Sequence, residues 1–311
     1  MIQDPMPRST ASMHFAWGPS VLLDRAVDRL RQMRQDIDPG LYDLYLSGQK
    51  TLSEMASDSG GIIMAAIRVP AFRFSFARGG KLAYALIPPT YAKTDEAIKE
   101  ADGMVESAFP GAYAIRAPFK TLAVAMGLAE YGRNNIAYVR GFGSYVRLRC
   151  YLADADPGSS DPRQQIFLSR GFDEDFLAQP CLGCSICTRA CPTGALFEDS
   201  FPVESGRCIT YLNEVQAPFP AWLDGTSHNC LIGCMRCQDA CPMNEGLLEV
   251  IDLPIGFGDD ETEWLLDSSN SGAMPVPNGV KRVLGACGLD YLEDVIARNV
   301  QALAASGRLR W

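Results

Sequence analysis

The placement of its cysteines constrains this 311-residue chain more than any other feature. Nine of the eleven cysteines fall between Cys181 and Cys241. They form two runs, Cys181-x2-Cys184-x2-Cys187-x3-Cys191-Pro192 and Cys234-x2-Cys237-x3-Cys241-Pro242. Gaps this short let successive thiolates turn inward onto one inorganic cube, while the last cysteine of the first run reaches a second cube. The proline that follows each run turns the chain away and removes an amide donor. A secreted disulfide scaffold does not fit, because the chain is long, the cysteines are crowded, and the N-terminus shows no export signal. A zinc site, which pairs two knuckles and stops at four ligands, would leave cysteines over. The spacing therefore predicts two [4Fe–4S] clusters. Seven thiolates are one short of the eight needed, and Cys208 and Cys230 are both candidates between which spacing does not choose.

Away from the cysteines the hydropathy pattern is that of a packed domain. Positions 20–36 carry apolar residues at helical spacing, and 62–69, 72–76 and 82–87 are apolar runs of strand length. Positions 95–109 and 119–131 read as helices, and 135–139 and 144–152 as strands joined by a glycine turn. A Pro/Gly/Ser/Asp-rich linker spans 154–163, and helical periodicity returns over 261–309. The expected architecture is α+β: a mixed α/β domain over 1–160, a bacterial ferredoxin-like two-cluster module over 161–250, and a short helical C-terminal tail over 251–311. With 47% hydrophobic residues the chain can bury a real core. Its net charge of −9 gives bulk electrostatics no affinity for phosphate backbones. No run approaches a membrane span, so a cytoplasmic location with no membrane partner is expected.

At this point the residues resemble a known group. The segments CLGCSICTRACPTGAL, RCITYLNE and IGCMRCQDACPMN are similar to the iron–sulfur module of epoxyqueuosine reductases. The resemblance implies Cys208 as the eighth ligand. It implies one cluster on Cys181, Cys184, Cys187 and Cys241 and another on Cys191, Cys208, Cys234 and Cys237. Cys150, Cys230 and Cys287 would then be small buried residues. Upstream, the stretch from Leu122 to Asn135, with Gly143-Ser144 and Leu152-Ala153-Asp154, resembles a segment shared by epoxyqueuosine reductases and reductive dehalogenases. Both families are cobalamin-dependent, which implies a nitroreductase-like domain binding cobalamin ahead of the clusters.

The departures are as informative. The catalytic Asp of epoxyqueuosine reductases falls on Ile115 within Ala114-Ile115-Arg116-Ala117-Pro118, so no proton donor stands there. The helical-repeat extension that engages tRNA in longer members has no counterpart. These departures and the acidic charge make tRNA an unlikely partner by this reading and favour a small-molecule substrate, with a low-potential ferredoxin- or flavodoxin-type electron donor. The reading is of an iron–sulfur, corrinoid-dependent reductase. Its rivals are a non-catalytic electron-transfer protein and a true epoxyqueuosine reductase with a relocated acid. Arg133 is the preferred catalytic group, because its planar cation can hold an anionic substrate or developing charge. Tyr131, Tyr138, Arg116 and Tyr113 are further candidates. Gly132, Asn134, Asn135, Gly141, Gly143 and Ser144 are the candidate cofactor-binding residues.

Overall fold

A computed structural model describes residues 10, 12–32, 42–92, 95–171, 177–198, 203–271 and 275–311. Its strands are β1 (Met13–Pro19), β2 (Gly61–Arg68), β3 (Ala71–Arg78), β4 (Lys81–Ile87), β5 (Tyr113–Ile115), β6 (Glu130–Tyr131), β7 (Ala137–Tyr138), β8 (Val146–Ala153) and β9 (Val250–Asp252). The helices are α1 (Val21–Gln32), α2 (Asp95–Ala108), α3 (Phe119–Ala125), α4 (Arg163–Arg170), α5 (Ile186–Ala190), α6 (Ile209–Glu214), α7 (Arg236–Asp239), α8 (Asp259–Leu266), α9 (Asn278–Gly285) and α10 (Ile296–Ala305). The fold is thus of the expected mixed α+β kind, with helices dominating its C-terminal part.

The chain divides into two compact units. The first comprises Met1–Arg68 and Thr94–Ser185, and the second Val69–Lys93 and Ile186–Trp311. This division differs from the expected split at 160 and 250. The cause lies in packing: the β3–β4 hairpin buries its apolar face with residues far along the chain. Phe72, Phe74, Phe76, Ala83, Ala85 and Ile87 share one core with Leu265, Val280, Leu284, Ile296 and Val300 of the last helices. The helical tail is therefore half of a core rather than an appendage. At Gly256 a β-carbon would collide with the Ser75 side chain and carbonyl, so only glycine lets the chain run this close to β3.

In the first unit, four antiparallel strands lie in the order β1-β2-β8-β5. Strand β2 is buried on both faces, which is why it reads as an unbroken apolar run. The outermost strands escaped the sequence pattern. Strand β1 contains Gly18 and Pro19, and β5 has only three residues. Helix α1 matches the expected 20–36 segment up to Gln32, and positions 33–36 lie outside the described residues. Helix α3 stops at Ala125, short of the expected 131. The reason is Gly127, which adopts a φ of +78° where a β-carbon would strike the Asp161 carboxyl group. Arg163 then donates to the Gly127 carbonyl at 2.6 Å, and Glu130–Tyr131 continue as a strand. No helix among the described residues is long and apolar enough to cross a membrane.

Candidate functional site

The candidate corrinoid residues of the first unit fall on one short hairpin. Residues 132–136 turn between β6 and β7, and the backbone N–H groups of Gly132 and Asn135 donate to Ile136 and Gly132 carbonyls at 2.8 and 2.9 Å. Asn135 takes a φ of +60°, and its carbonyl and side-chain oxygen both accept from Lys120 Nζ at 2.8 Å. Asn134 is buried and its Nδ2 donates to the Tyr138 hydroxyl at 2.8 Å. Gly132 is required by this same packing, since a β-carbon there would lie 2.5 Å from the Tyr138 ring and 2.6 Å from Asn134 Oδ1. The absence of a side chain at Gly132 thus lets the Tyr138 ring pack against the turn. At the other end of β7, Val139 and Gly143 pair across a tight turn. Gly141 projects from that turn with nothing within 4 Å, and Ser144 is buried beside it.

The candidate proton donors separate clearly. Tyr131 is buried, its hydroxyl lies 3.2 Å from Thr121 Oγ1, and burial pushes its pKa up to about 12. Tyr138 is equally buried against Asn134. Both hydroxyls are therefore engaged inside the fold. Arg116 is exposed, and Tyr113 is exposed with its hydroxyl 3.0 Å from Ser57 Oγ. Ile115 sits half-buried on β5, paired with Cys150 of β8. Arg133 reaches toward the cysteines: its Nη2 donates to the Cys181 carbonyl at 3.3 Å across 48 positions. The Ala178 amide also donates to the Tyr131 carbonyl at 2.7 Å, and Leu177 bridges Tyr131, so β6 carries the chain into the first cysteine run. Of the two histidines, His14 stacks on Phe142 with ring centroids 4.1 Å apart, and burial lowers its pKa.

In the second unit the thiols converge. Burial raises the pKa of Cys234, and the neighbouring Cys208 and Cys191 raise it further, against the hydrogen bond from Asn229. Cys237 is likewise pushed up by burial and then by Cys234, Cys208, Cys187 and Cys191. Five thiols thus stand within electrostatic reach of one another, and a tetrahedral set of four among them is the donor chemistry of an iron–sulfur cube. Cys208 immediately precedes α6, while α5 and α7, which carry Cys187 and Cys237, pack on each other. Cys230 is buried, its Sγ donates to Asn229 Oδ1 at 2.9 Å, and it stands within electrostatic reach of Cys234. Asn229 in turn donates from Nδ2 to Cys234 Sγ at 3.1 Å and accepts from the Met235 amide at 3.0 Å. Cys150 and Cys287 are buried core residues. Cys181 and Cys184 belong to the first unit, with the Cys184 amide donating to the Cys181 carbonyl at 3.2 Å.

Sequence reasoning missed the polar groups that hold this module. Arg298 donates to the carbonyls of Leu212, Asn213, Val215 and Ala217 at the end of α6 and lies 4.1 Å from the Phe219 ring centroid. Asn299 adds a 2.9 Å bond to the Asn213 carbonyl, and Asn213 donates to Gly233 at 3.0 Å beside the second cysteine run. Tyr91 donates to Glu214 at 2.9 Å. Nothing in their local sequence marks these residues, because each acts on backbone brought in by the fold.

Comparison with known proteins agrees with this module. Residues 180–244 match the family model described as a 4Fe-4S double cluster binding domain. Epoxyqueuosine reductase of Gloeobacter violaceus is 30% identical over 169 residues, covering 52% of this chain and 48% of that protein. The same enzyme of Cyclobacterium marinum is 31% identical over 123 residues, covering 39% of this chain and 35% of that protein. The matched segments thus span less than half the length of these relatives. The fold of Bacillus subtilis epoxyqueuosine reductase, in a state with its catalytic-aspartate loop swung out of the active site, matches 94% of this chain and 78% of that one, with a TM-score of 0.61 at 20% identity. An epoxyqueuosine reductase solved with an epoxyqueuosine-modified tRNA-Tyr stem loop matches 94% of this chain and 77% of that one, with a TM-score of 0.60 at 19% identity. The chain is thus similar to epoxyqueuosine reductases over part of its sequence and in its fold, and its cysteine module is of the double [4Fe–4S] kind. The expectation that tRNA is an unlikely partner is corrected by the stem-loop complex of that structural neighbour. The physical reason is that net charge sums over the whole chain and says nothing about where cations gather.

Proposed function

We propose that this epoxyqueuosine reductase-like chain is an oxidoreductase that passes electrons singly through two [4Fe–4S] clusters to a corrinoid held by the first unit. The observation that carries this reading is the nearness of Cys191 and Cys208 to both Cys234 and Cys237, with Cys230 bonded to Asn229. These four hold one cluster, and Cys181, Cys184, Cys187 and Cys241 hold the other. Asn229 steadies the first cluster through its bond to Cys234, since donors to ligating sulfur stabilise the reduced state.

The residues of the first unit fit a corrinoid in part. The open Gly141 turn and the polar 132–136 loop flank one short strand, and Arg133 fastens that loop to the carbonyl of the first ligating cysteine. A bound corrinoid would supply a strongly nucleophilic reduced metal centre, so the hard chemistry belongs to the cofactor. The protein's own part is to hold Arg133 as a fixed cation toward substrate negative charge and to seat the loop through Lys120. Ile115 supplies no proton at the place the resemblance assigns to an acid. Tyr131, with its hydroxyl buried and its pKa near 12, is a poor substitute. The substrate class to test first is a modified nucleoside carried on tRNA, as in the relatives.

The test uses anaerobically reconstituted full-length protein. Titration with hydroxocobalamin is expected to give saturable binding, seen as a change in the visible corrinoid bands. Incubation with epoxyqueuosine-containing tRNA and a low-potential reductant is expected to form queuosine. Cobalamin binding without queuosine would redirect the search to another substrate. No cobalamin binding with clusters intact would overturn the enzyme reading and leave an electron carrier.

A further inference from the structure

The second unit contains a cavity of about 670 Å³ that the reductase reading does not use. Its wall is formed by Tyr84 of β4, Thr226, Arg236 of α7, and Ser306, Arg308 and Arg310 beyond α10. In a chain of net charge −9, three guanidinium groups around one cavity are a strong local excess. Among the described residues none of the three is in an ion pair. Asp239 lies within electrostatic reach of Arg236 and Arg308, and Asp224 is turned to the amide and hydroxyl of Thr226 at 2.7 and 2.6 Å. Arg236 spends one nitrogen on the Thr226 carbonyl at 3.4 Å, while its Nε is buried with no acceptor. The guanidinium nitrogens of the three arginines that are not so engaged are charged donors suited to an oxyanion. The cavity is much larger than a phosphate group needs and falls in the range of small-ligand sites. Its one aromatic wall, Tyr84, is 41% exposed, with Arg73 5.1 Å from its ring centroid.

We propose that this pocket is a nucleotide site, in which Arg236, Arg308 and Arg310 take a phosphate group and Tyr84 offers a face for the base. Guanidinium forks match phosphate oxygens in pairs, and an exposed aromatic ring stacks on any base without sequence preference. The nucleotide is either free or part of a single strand, and both present the same phosphate and base to these residues. The site is independent of the corrinoid and of the reaction proposed above, so it stands or falls by binding alone.

The experiment is isothermal titration of the cluster-reconstituted full chain with AMP, adenosine, inorganic phosphate and a short single-stranded RNA. AMP or the RNA is expected to bind, with adenosine weaker by about tenfold or more. Arg308→Gln/Arg310→Gln is expected to weaken binding by about tenfold or more with iron content and melting temperature unchanged. Tyr84→Ala is expected to weaken AMP or RNA but not inorganic phosphate. Tighter AMP would identify a free nucleotide as the ligand, and tighter RNA a strand. Should the double variant lose its clusters, Arg310→Gln alone, at an exposed position, carries the test. Adenosine binding as well as AMP, binding indifferent to the arginines, or no binding of any probe at millimolar concentration would overturn the proposal.

Discussion

Replacing Cys208 by serine, and separately Cys230 by alanine, tests the ligand assignment at its weakest point. Two all-cysteine cubes hold about eight irons per chain. In the structure the thiols that press on Cys237 are Cys234, Cys208, Cys187 and Cys191, while Cys230 stands beside Cys234 and bonds to Asn229. Cys208→Ser leaves one cube with three thiolates and a poor alkoxide ligand, so iron is expected to fall to about four per chain. Cys230→Ala has a different cost. It deletes one buried sulfur and its bond to Asn229 Oδ1, but that oxygen keeps the Met235 amide at 3.0 Å. No buried acceptor is orphaned, and the Asn229 bond to Cys234 survives. The expected loss is about 1–2 kcal/mol of stability with iron content unchanged. Iron and sulfide analysis of anaerobically purified protein, with the visible spectrum, reads both variants. If Cys230→Ala halves the iron while Cys208→Ser keeps about eight, the second run is a self-contained four-cysteine motif. The assignment of Cys208 would then be refuted.

Two further outcomes follow from the groups around the cluster module. Arg298, which burial pulls down to a pKa of about 10, serves four carbonyls at the end of α6. Arg298→Lys offers a single ammonium for that fork and is expected to cost about 2–3 kcal/mol in denaturant unfolding, with iron per folded chain unchanged. An Arg298→Lys variant of full stability would contradict its role as a cap. His228 is 3% exposed, and burial, with Arg298 nearby, pushes its pKa down to about 4. The folded state thus prefers the neutral ring, so its contribution is present above the unfolded value near 6.5 and is lost as pH falls toward 4. Between pH 7 and 5 the wild type is expected to lose about 2 kcal/mol more stability than His228→Gln. Parallel pH profiles for the two proteins would refute this.

The sequence by itself determined the chemistry of the cysteine module, because ligand spacing of two or three residues is a local property. Chain stiffness and bond lengths decide it, whatever the rest of the fold does. The strands from β2 to β4 and the helices α1 and α2 were legible for a similar reason, since each carries a full period of buried residues. What the tertiary structure alone decided were relations across long separations. Spacing leaves Cys208 and Cys230 equivalent, and only the fold sets their surroundings, Cys208 near Cys237 and Cys230 bonded to Asn229 beside Cys234. Tyr131 and Tyr138 are chemically eligible proton donors in sequence, but the hairpin engages their hydroxyls with Thr121 and Asn134. The β3–β4 hairpin reads as part of the N-terminal domain, yet its phenylalanines find their core among helices nearly two hundred residues later. The arginines of the 670 Å³ pocket come from α7 and from the segment after α10. Net charge sums over the whole chain and loses that information, whereas burial and electrostatics act through distances that only the fold sets.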